Sequence, residues 1–167
     1  IRTVGEPEER FNEDALRLLR AVRFATVLDF KIEKKTLEAI NKNSGWLVAI
    51  SKERIRDEFI KIINSDNAYD GIMLLYETGL LKHIVPELLE GVGVTQNLHH
   101  IYTVWEHLLY ALKYTVDKDY SLTVRLAALF HDIGKPRSKR GEGEHSTFYG
   151  QEVIGAKMVA QIMERLK

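Results

Sequence analysis

The sequence predicts an all-α protein made of packed antiparallel helices, and three observations carry that expectation. Apolar residues recur at three- and four-residue spacing along nearly the whole chain. Sustained period-two alternation, the mark of half-buried strands, is missing. The punctuation consists of helix-capping residues, glycines and just 3 prolines, Pro7, Pro86 and Pro136, each lying between periodic segments. At 167 residues, 45% of them hydrophobic, the chain can bury a sizeable core as one domain or as two small helical ones.

Taken in order, the first helix is expected to begin at Asn12 as N-cap, with Glu13 and Asp14 in its first turn and Phe11 stapled onto Leu16. Leu18, Leu19, Val22 and Ala25 form its apolar face. A second helix is expected over residues 33–41, with Leu37 and Ile40 inward. Ser51 caps a third, Ile50 stapling onto Ile55, and Ile55, Phe59, Ile62 and Ile63 share one face. A fourth covers residues 68–77 and closes at Gly79. Residues 80–89, interrupted by Pro86, read as short helical turns, and Gly91-Val92-Gly93 marks the boundary between a region 1–90 and a region 91–167. Thr103 and Glu106 have the spacing of a capping box ahead of Leu108, Ala111 and Leu112. Ser121 caps a helix carrying Leu122, Leu126, Leu129, Phe130 and Ile133, which Gly134 and Pro136 end. After a polar loop over residues 137–147, a last helix lines up Gly155, Val159, Ile162 and Leu166.

Composition narrows the function. The 24 Lys+Arg balance 24 Asp+Glu, which argues against a uniformly basic nucleic-acid domain and leaves room for local basic patches. With no Cys, disulfide frameworks, thiol catalysis and Cys-based zinc sites are excluded. No apolar run approaches the roughly 20 residues a membrane span needs, and no signal-peptide pattern opens the chain, so no membrane partner and a cytoplasmic location are expected. The chain opens at Ile1 without a Met and is still helical in pattern at Lys167, so a piece of a longer protein is expected.

Two groups of residues can carry chemistry. In the first, Asp14, Arg17, Arg20 and Arg23 recur every third residue and would lie along one drifting helical stripe. A carboxylate only accepts and a guanidinium only donates, so Asp14 and Arg17 side by side can present a polar edge to a nucleobase, with the other arginines facing phosphates. The same spacing also describes a solvated, salt-bridged helix face. In the second, His107, His131 and Asp132 can be brought by two neighbouring helices onto one divalent metal, since neutral imidazole and carboxylate are ligands for Mn, Fe, Ni, Co or Zn. A hydrogen-bonded core histidine is the plainer alternative. The basic run from Lys135 to Arg140 reads either as a phosphate contact or as a solvated loop, and His99-His100 either as an approach to the second group or as surface chemistry. Trp46 and Trp105 read as core or interface residues, with base stacking the alternative.

The run Gly5-Glu6-Pro7-Glu8-Glu9-Arg10-Phe11-Asn12-Glu13-Asp14-Ala15-Leu16-Arg17-Leu18-Leu19-Arg20-Ala21-Val22-Arg23 resembles the central motifs of bacterial CCA-adding tRNA nucleotidyltransferases and poly(A) polymerases. The resemblance implies that Asp14 and Arg17 act as a protein template selecting CTP or ATP, with Arg20 and Arg23 helping to bind the nucleotide. Glu53, Arg54 and Glu58 resemble the family's next motif, which braces the selecting helix. The family's Mg²⁺ sits on an Asp-x-Asp pair in a sheet domain that this chain does not contain; Asp117-Lys118-Asp119 has the spacing but reads as a solvated loop. No catalytic residue is therefore assigned, and this chain alone is expected not to add nucleotides. His107 with Ala127-Ala128-Leu129-Phe130-His131-Asp132-Ile133-Gly134-Lys135-Pro136 resembles the HD domain of metal-dependent phosphohydrolases. That resemblance implies a divalent transition metal on His107, His131 and Asp132, and a fourth ligand from a later Asp. No Asp follows Asp132, and Gln151 stands where the family carries His, with His145 the nearest substitute. The expected architecture is then a helical neck and body over residues 1–90, followed by part of an HD domain over residues 91–167. The implied partners are tRNA, CTP and ATP. The alternative function is an HD phosphohydrolase acting on nucleotides or cyclic phosphates, and a third reading has the helices merely bracing a catalytic domain.

Overall fold

The computed structural model describes residues 1–97 and 101–167, Glu144 by its backbone alone, so His99 and His100 lie outside the described residues. Helices make up the architecture: α1 Pro7–Glu13, α2 Leu16–Val27, α3 Lys34–Asn43, α4 Lys52–Ile63, α5 Ala68–Glu77, α6 Val104–Asp117, α7 Leu122–Phe130, α8 Lys135–Ser138 and α9 Gln151–Arg165. Short 3-10 turns cover Ser44–Ala49, Leu81–His83, Pro86–Gly91 and Gly143–His145. Among the described residues no strand forms, and one isolated antiparallel bridge pairs Arg140 with Thr147 inside the polar loop. The all-α expectation therefore holds. None of the described helices is long and apolar enough to cross a membrane.

The chain divides into two compact units, Ile1–Ile84 with Leu166–Lys167, and Val85–Arg165. In the first unit α2 is the hub. Leu18, Leu19 and Val22 are fully buried, and the helix packs against α4 and α5. Gly71 permits the close approach of α5: a Cβ there would come within 2.5 Å of Ile62 Cγ2 and 2.7 Å of Thr26 Cγ2. Thr26 turns its hydroxyl back onto the Val22 carbonyl at 2.9 Å, and its own carbonyl accepts from the Asn67 amide at 3.0 Å, so neither polar group is stranded.

The start of this unit differs from the sequence reading. A helix begins at Pro7, where a missing N–H costs nothing and Glu8 and Glu9 suit the helix dipole. It breaks at Asp14 (φ −153°, ψ 105°) and resumes at Leu16. The break has a local cause: Asp14 Oδ1 accepts the Leu16 amide at 3.0 Å, offering the backbone a turn in place of the helical bond. Asn12 is thus inside α1, and the buried Phe11 belongs to its core face rather than to a staple on Leu16. Glu33 likewise sits at the N-cap of α3, its carboxylate accepting from the Thr36 amide at 2.9 Å and the Thr36 hydroxyl at 2.8 Å. Ser51 and Ser121 occupy N-cap positions but make no side-chain cap bond.

In the second unit α6 and α7 pack as an antiparallel pair. The capping box is present as expected: Thr103 accepts from the Glu106 amide at 3.2 Å and Glu106 accepts from the Thr103 amide at 2.8 Å. The Pro86–Gly91 turn is tied down by two forked pairs. Glu90 receives Arg137 at 2.6 and 2.8 Å, and the well-buried Glu87 receives Arg165 at 2.7 and 2.8 Å. Burial pushes the Glu87 carboxyl up, but the Arg165 fork outweighs it, and the net pKa lies below the usual glutamate value. A depressed folded pKa contributes stability that is present above the unfolded value, near 4.5, and is lost as the pH falls below it. Glu87→Gln is therefore expected to lower the urea midpoint of this unit at pH 7 and to leave it nearly unchanged at pH 3; parallel denaturation curves at the two pH values check this.

Candidate functional site

Each unit holds one of the two groups flagged in the sequence. In the first unit, the interruption between α1 and α2 sets Asp14 in the wall of a cavity of about 650 Å³. Asn12, Trp46, Ile50 and Arg54 also line it. Asp14 Oδ2 accepts from Arg54 Nη2 of α4 at 2.9 Å, so the brace reaches the carboxylate itself. Partial burial raises the Asp14 carboxyl, but the Leu16 amide and the Arg54 guanidinium outweigh this and hold it below the usual aspartate range. Asp14 is thus a pure acceptor, and among the described residues each of its oxygens takes one hydrogen bond.

Arg17 is held separately. Its Nη1 donates to Glu13 and to the Arg10 carbonyl at 3.0 Å, and Glu13 also receives Arg10 at 2.6 Å. Arg17 borders a smaller cavity of about 310 Å³ with Thr3, Val4 and Arg10. The Arg17 amide donates to the Asp14 carbonyl at 3.0 Å, but among the described residues their side chains take different partners, and the single stripe expected from helical spacing is broken, because Asp14 sits in the extended link between two helices. Arg20 is exposed and, among the described residues, approaches the Phe24 ring at 5.7 Å. Arg23 is turned inward: its Nε donates to the buried Glu58 of α4, and its guanidinium lies 3.8 Å from the Phe24 ring centroid. Glu58 is completed by Lys61 at 3.0 Å. Arg23 thus fastens α2 to α4.

In the second unit, α6 presents His107 while the end of α7 presents His131 and Asp132. Three ligand atoms converge. His107 Nε2 and His131 Nε2 lie 3.0 Å apart, and Asp132 Oδ2 lies 3.2 Å from the first and 3.1 Å from the second. His131 Nδ1 faces the Ala128 carbonyl at 2.8 Å; that contact fixes the proton on Nδ1 and leaves Nε2 as the lone-pair nitrogen aimed at the cluster. Two imidazole nitrogens and one carboxylate oxygen meeting at a point suit a divalent transition metal. The Asp132 carboxylate raises the His131 imidazole, against the effect of burial. Burial pushes Asp132 up, but His131 and Lys135 outweigh it and keep the carboxyl far below its ordinary value. An apolar cavity of about 720 Å³ between α7 and α9, lined among others by Leu126, Phe130, Val159 and Met163, opens beside His131.

Two members of this site were not foreseen in the sequence. Lys135 Nζ contacts Asp132 Oδ2 at 2.7 Å and Gln96 Oε1 at 2.7 Å; its position three residues after Asp132 on a turn was the available signal. The rest of the basic run is also largely engaged: Arg137 on Glu90, and Lys139 on Thr95 at 3.0 Å and Glu142 at 3.2 Å. Gln151 opens α9 with its amide oxygen buried and, among the described residues, unpartnered, and His145 is exposed in a 3-10 turn outside the ligand cluster. Asp117 and Asp119 flank the end of α6 in solvent. Trp105 is buried, in keeping with a core role.

Comparison with known proteins finds two family matches along the chain. A family described as the probable RNA and SrmB-binding site of polymerase A matches residues 29–91, and the HD domain matches residues 97–167. The A-adding tRNA nucleotidyltransferase of Deinococcus radiodurans is 37% identical over 96% of this chain and 39% of its own length. The CC-adding tRNA nucleotidyltransferase of Thermus thermophilus is 36% identical over 90% of this chain and 37% of its own. The crystal structure of the Bacillus stearothermophilus CCA-adding enzyme in complex with CTP superposes with a TM-score of 0.55 at 28% identity, covering 98% of this chain and 37% of that one. The chain thus spans about two-fifths of the length of the relatives it matches. It belongs to the bacterial CCA-adding tRNA nucleotidyltransferase and poly(A) polymerase family, over the stretch that carries the family's RNA-binding region and its HD domain.

Proposed function

We propose that this chain is the nucleotide-selecting and tRNA-binding part of a template-independent RNA nucleotidyltransferase, with a neck and body over residues 1–90 and an HD domain over residues 91–167. One observation supports this most: an ionised Asp14, braced by Arg54, lines a cavity large enough for a nucleobase. Asp14 offers acceptors to the donor edge of cytosine or adenine. Among the described residues Arg17 engages Nη1 alone, on Glu13 and the Arg10 carbonyl; turned from the smaller cavity it borders toward Asp14, it would offer Nε and Nη2 to an acceptor on the same edge. Arg20, exposed nearby on α2, suits a phosphate, while Arg23 acts by holding α2 on α4. The relatives' names, A-adding and CC-adding, supply ATP and CTP as the candidate nucleotides and tRNA as the acceptor. Phosphoryl transfer needs carboxylate-held Mg²⁺, and Asp117 and Asp119 are both exposed, with Asp119 facing Arg125 at 3.6 Å. Purified alone, the chain is expected to incorporate no labelled CMP or AMP into tRNA. It is expected to bind CTP and ATP weakly, with Kd about 1 mM or above. An NMR titration checks the selecting role: the Leu16 amide, bonded to Asp14 Oδ1, should shift with CTP or ATP, and Asp14→Ala or Arg17→Ala should remove the shift. Shifts that persist in both variants, or none at several millimolar nucleotide, refute it.

A second reading is favoured by the convergence of His107, His131 and Asp132. These residues fit a divalent ion, which when bound supplies Lewis acidity and a water of lowered pKa for hydrolysis of a nucleotide or cyclic phosphate. His131 is oriented for this by Ala128, and Asp132 balances the ion's charge. Three protein ligands leave the remaining positions open, and Gln151 contributes neither an imidazole ligand nor an acid–base group. Elemental analysis after exposure to Mn²⁺ and Ni²⁺ tests the site: His131→Ala should abolish the bound ion.

A further inference from the structure

We propose that Lys135 is a built-in counter-cation of the His107–His131–Asp132 cluster, competing with a divalent metal for Asp132 and thereby setting the affinity of the site. The inference rests on the reading of that cluster as a metal centre. Its basis is which atom the two cations share. Asp132 Oδ2 is the oxygen that faces both imidazole Nε2 atoms, at 3.2 and 3.1 Å, and it is the same oxygen that Lys135 Nζ contacts at 2.7 Å. A metal taken up by the cluster must bind an oxygen already occupied by an ammonium.

The ammonium is built in rather than draped over the surface. The Lys135 side chain is 12% exposed, and its stem passes the Phe148 ring, with Nζ 5.7 Å from the centroid. Its second partner, Gln96 Oε1 at 2.7 Å, belongs to a buried side chain whose Nε2 is fixed on the Tyr102 carbonyl at 3.0 Å. Tyr102, Gln96, Lys135 and Asp132 thus form a continuous hydrogen-bonded line ending on the cluster's carboxylate. The lysine neutralises a carboxylate that is itself only 9% exposed, so the fold tolerates a buried anion beside two imidazoles. With a metal, two positive centres share one oxygen in a poorly solvated place, where like charges repel strongly. The ion must displace the ammonium or bind against it, and either way its affinity falls.

Calorimetry with Mn²⁺ and Ni²⁺ tests this on the whole chain, with far-UV circular dichroism to confirm folding. Lys135→Met and Lys135→Gln, which remove the charge, should each bind the ion about tenfold more tightly or better, about 1.4 kcal/mol. Lys135→Arg, which keeps the charge, should bind as the parent does. Lys135→Gln preserves a polar contact to Gln96 and serves if the Met variant does not fold. A larger metal-induced rise in Tm for the neutral variants than for the parent is the second expected readout. If the parent binds the ion and the neutral variants bind it equally or more weakly, the competition is overturned and the metal centre stands. If neither the parent nor the folded variants bind, both fall together.

Discussion

Glu58→Ala is expected to destabilise the first unit by about 3–5 kcal/mol, the cost of removing one partner from a buried ion pair. Glu58 is 9% exposed at its side chain and Arg23 is 15% exposed, so the orphaned guanidinium has little water to turn to. Its remaining contact, with the Phe24 ring, is worth about 1–2 kcal/mol and does not replace a carboxylate. The loss of packing is small by comparison, because Glu58 contributes few apolar atoms. The double variant Arg23→Met with Glu58→Leu separates charge from shape: it should recover most of the loss, since two apolar side chains of similar size satisfy each other. Urea denaturation of the three variants, read by circular dichroism, checks both statements. A single variant that loses under 1 kcal/mol would mean that Arg23 finds another partner, and the fastening role assigned to it would be wrong. The result also bears on function, because α2 carries Arg17 and Arg20 and is pinned to α4 through this pair.

Gly134→Ala is expected to be nearly as damaging to the second unit, at about 3 kcal/mol. A Cβ at Gly134 would come within 2.2 Å of the Gln151 carbonyl oxygen and 2.6 Å of the Gly155 amide nitrogen. These are backbone atoms of α9, which cannot swing aside as a side chain does, so the helix itself must move. Gly155 faces it with a contact of 3.4 Å from its own would-be Cβ to the Gly134 nitrogen, an ordinary distance, so Gly155→Ala is expected to cost much less. Thermal unfolding of the two variants side by side makes the comparison. Gly134 immediately follows the segment that carries His131 and Asp132, so a shift of α9 should also loosen metal binding at the cluster.

The helices were legible in the sequence because each buries one stripe, and a stripe leaves a periodic trace. Leu18, Leu19 and Val22 in α2, and Ile55, Phe59, Ile62 and Ile63 in α4, are buried as the spacing predicts. The capping box at Thr103 and Glu106 was legible for the same reason, as its partners lie three residues apart. The break at Asp14 was not. Periodicity runs through it undisturbed, and what interrupts the helix is one carboxylate choosing the Leu16 amide over solvent, while Arg54, distant in sequence, holds the other oxygen. The destination of Arg23 was hidden likewise: a row of arginines at equal spacing gives no sign of which one turns inward to a buried glutamate.

The sequence by itself determined the fold class, the order of the helices and the residue types able to carry chemistry, because those follow from local spacing and from what each side chain can donate, accept or ligate. Only the tertiary structure decided which of them meet. His107 and His131 come within hydrogen-bonding distance because α6 and α7 pack antiparallel, and Lys135 reaches Asp132 because Gln96 holds it there. Asp14 and Arg17 part company because a turn intervenes between their helices. Such pairings depend on distances of a few ångströms between atoms far apart in the chain, and these are set by the packing of whole helices.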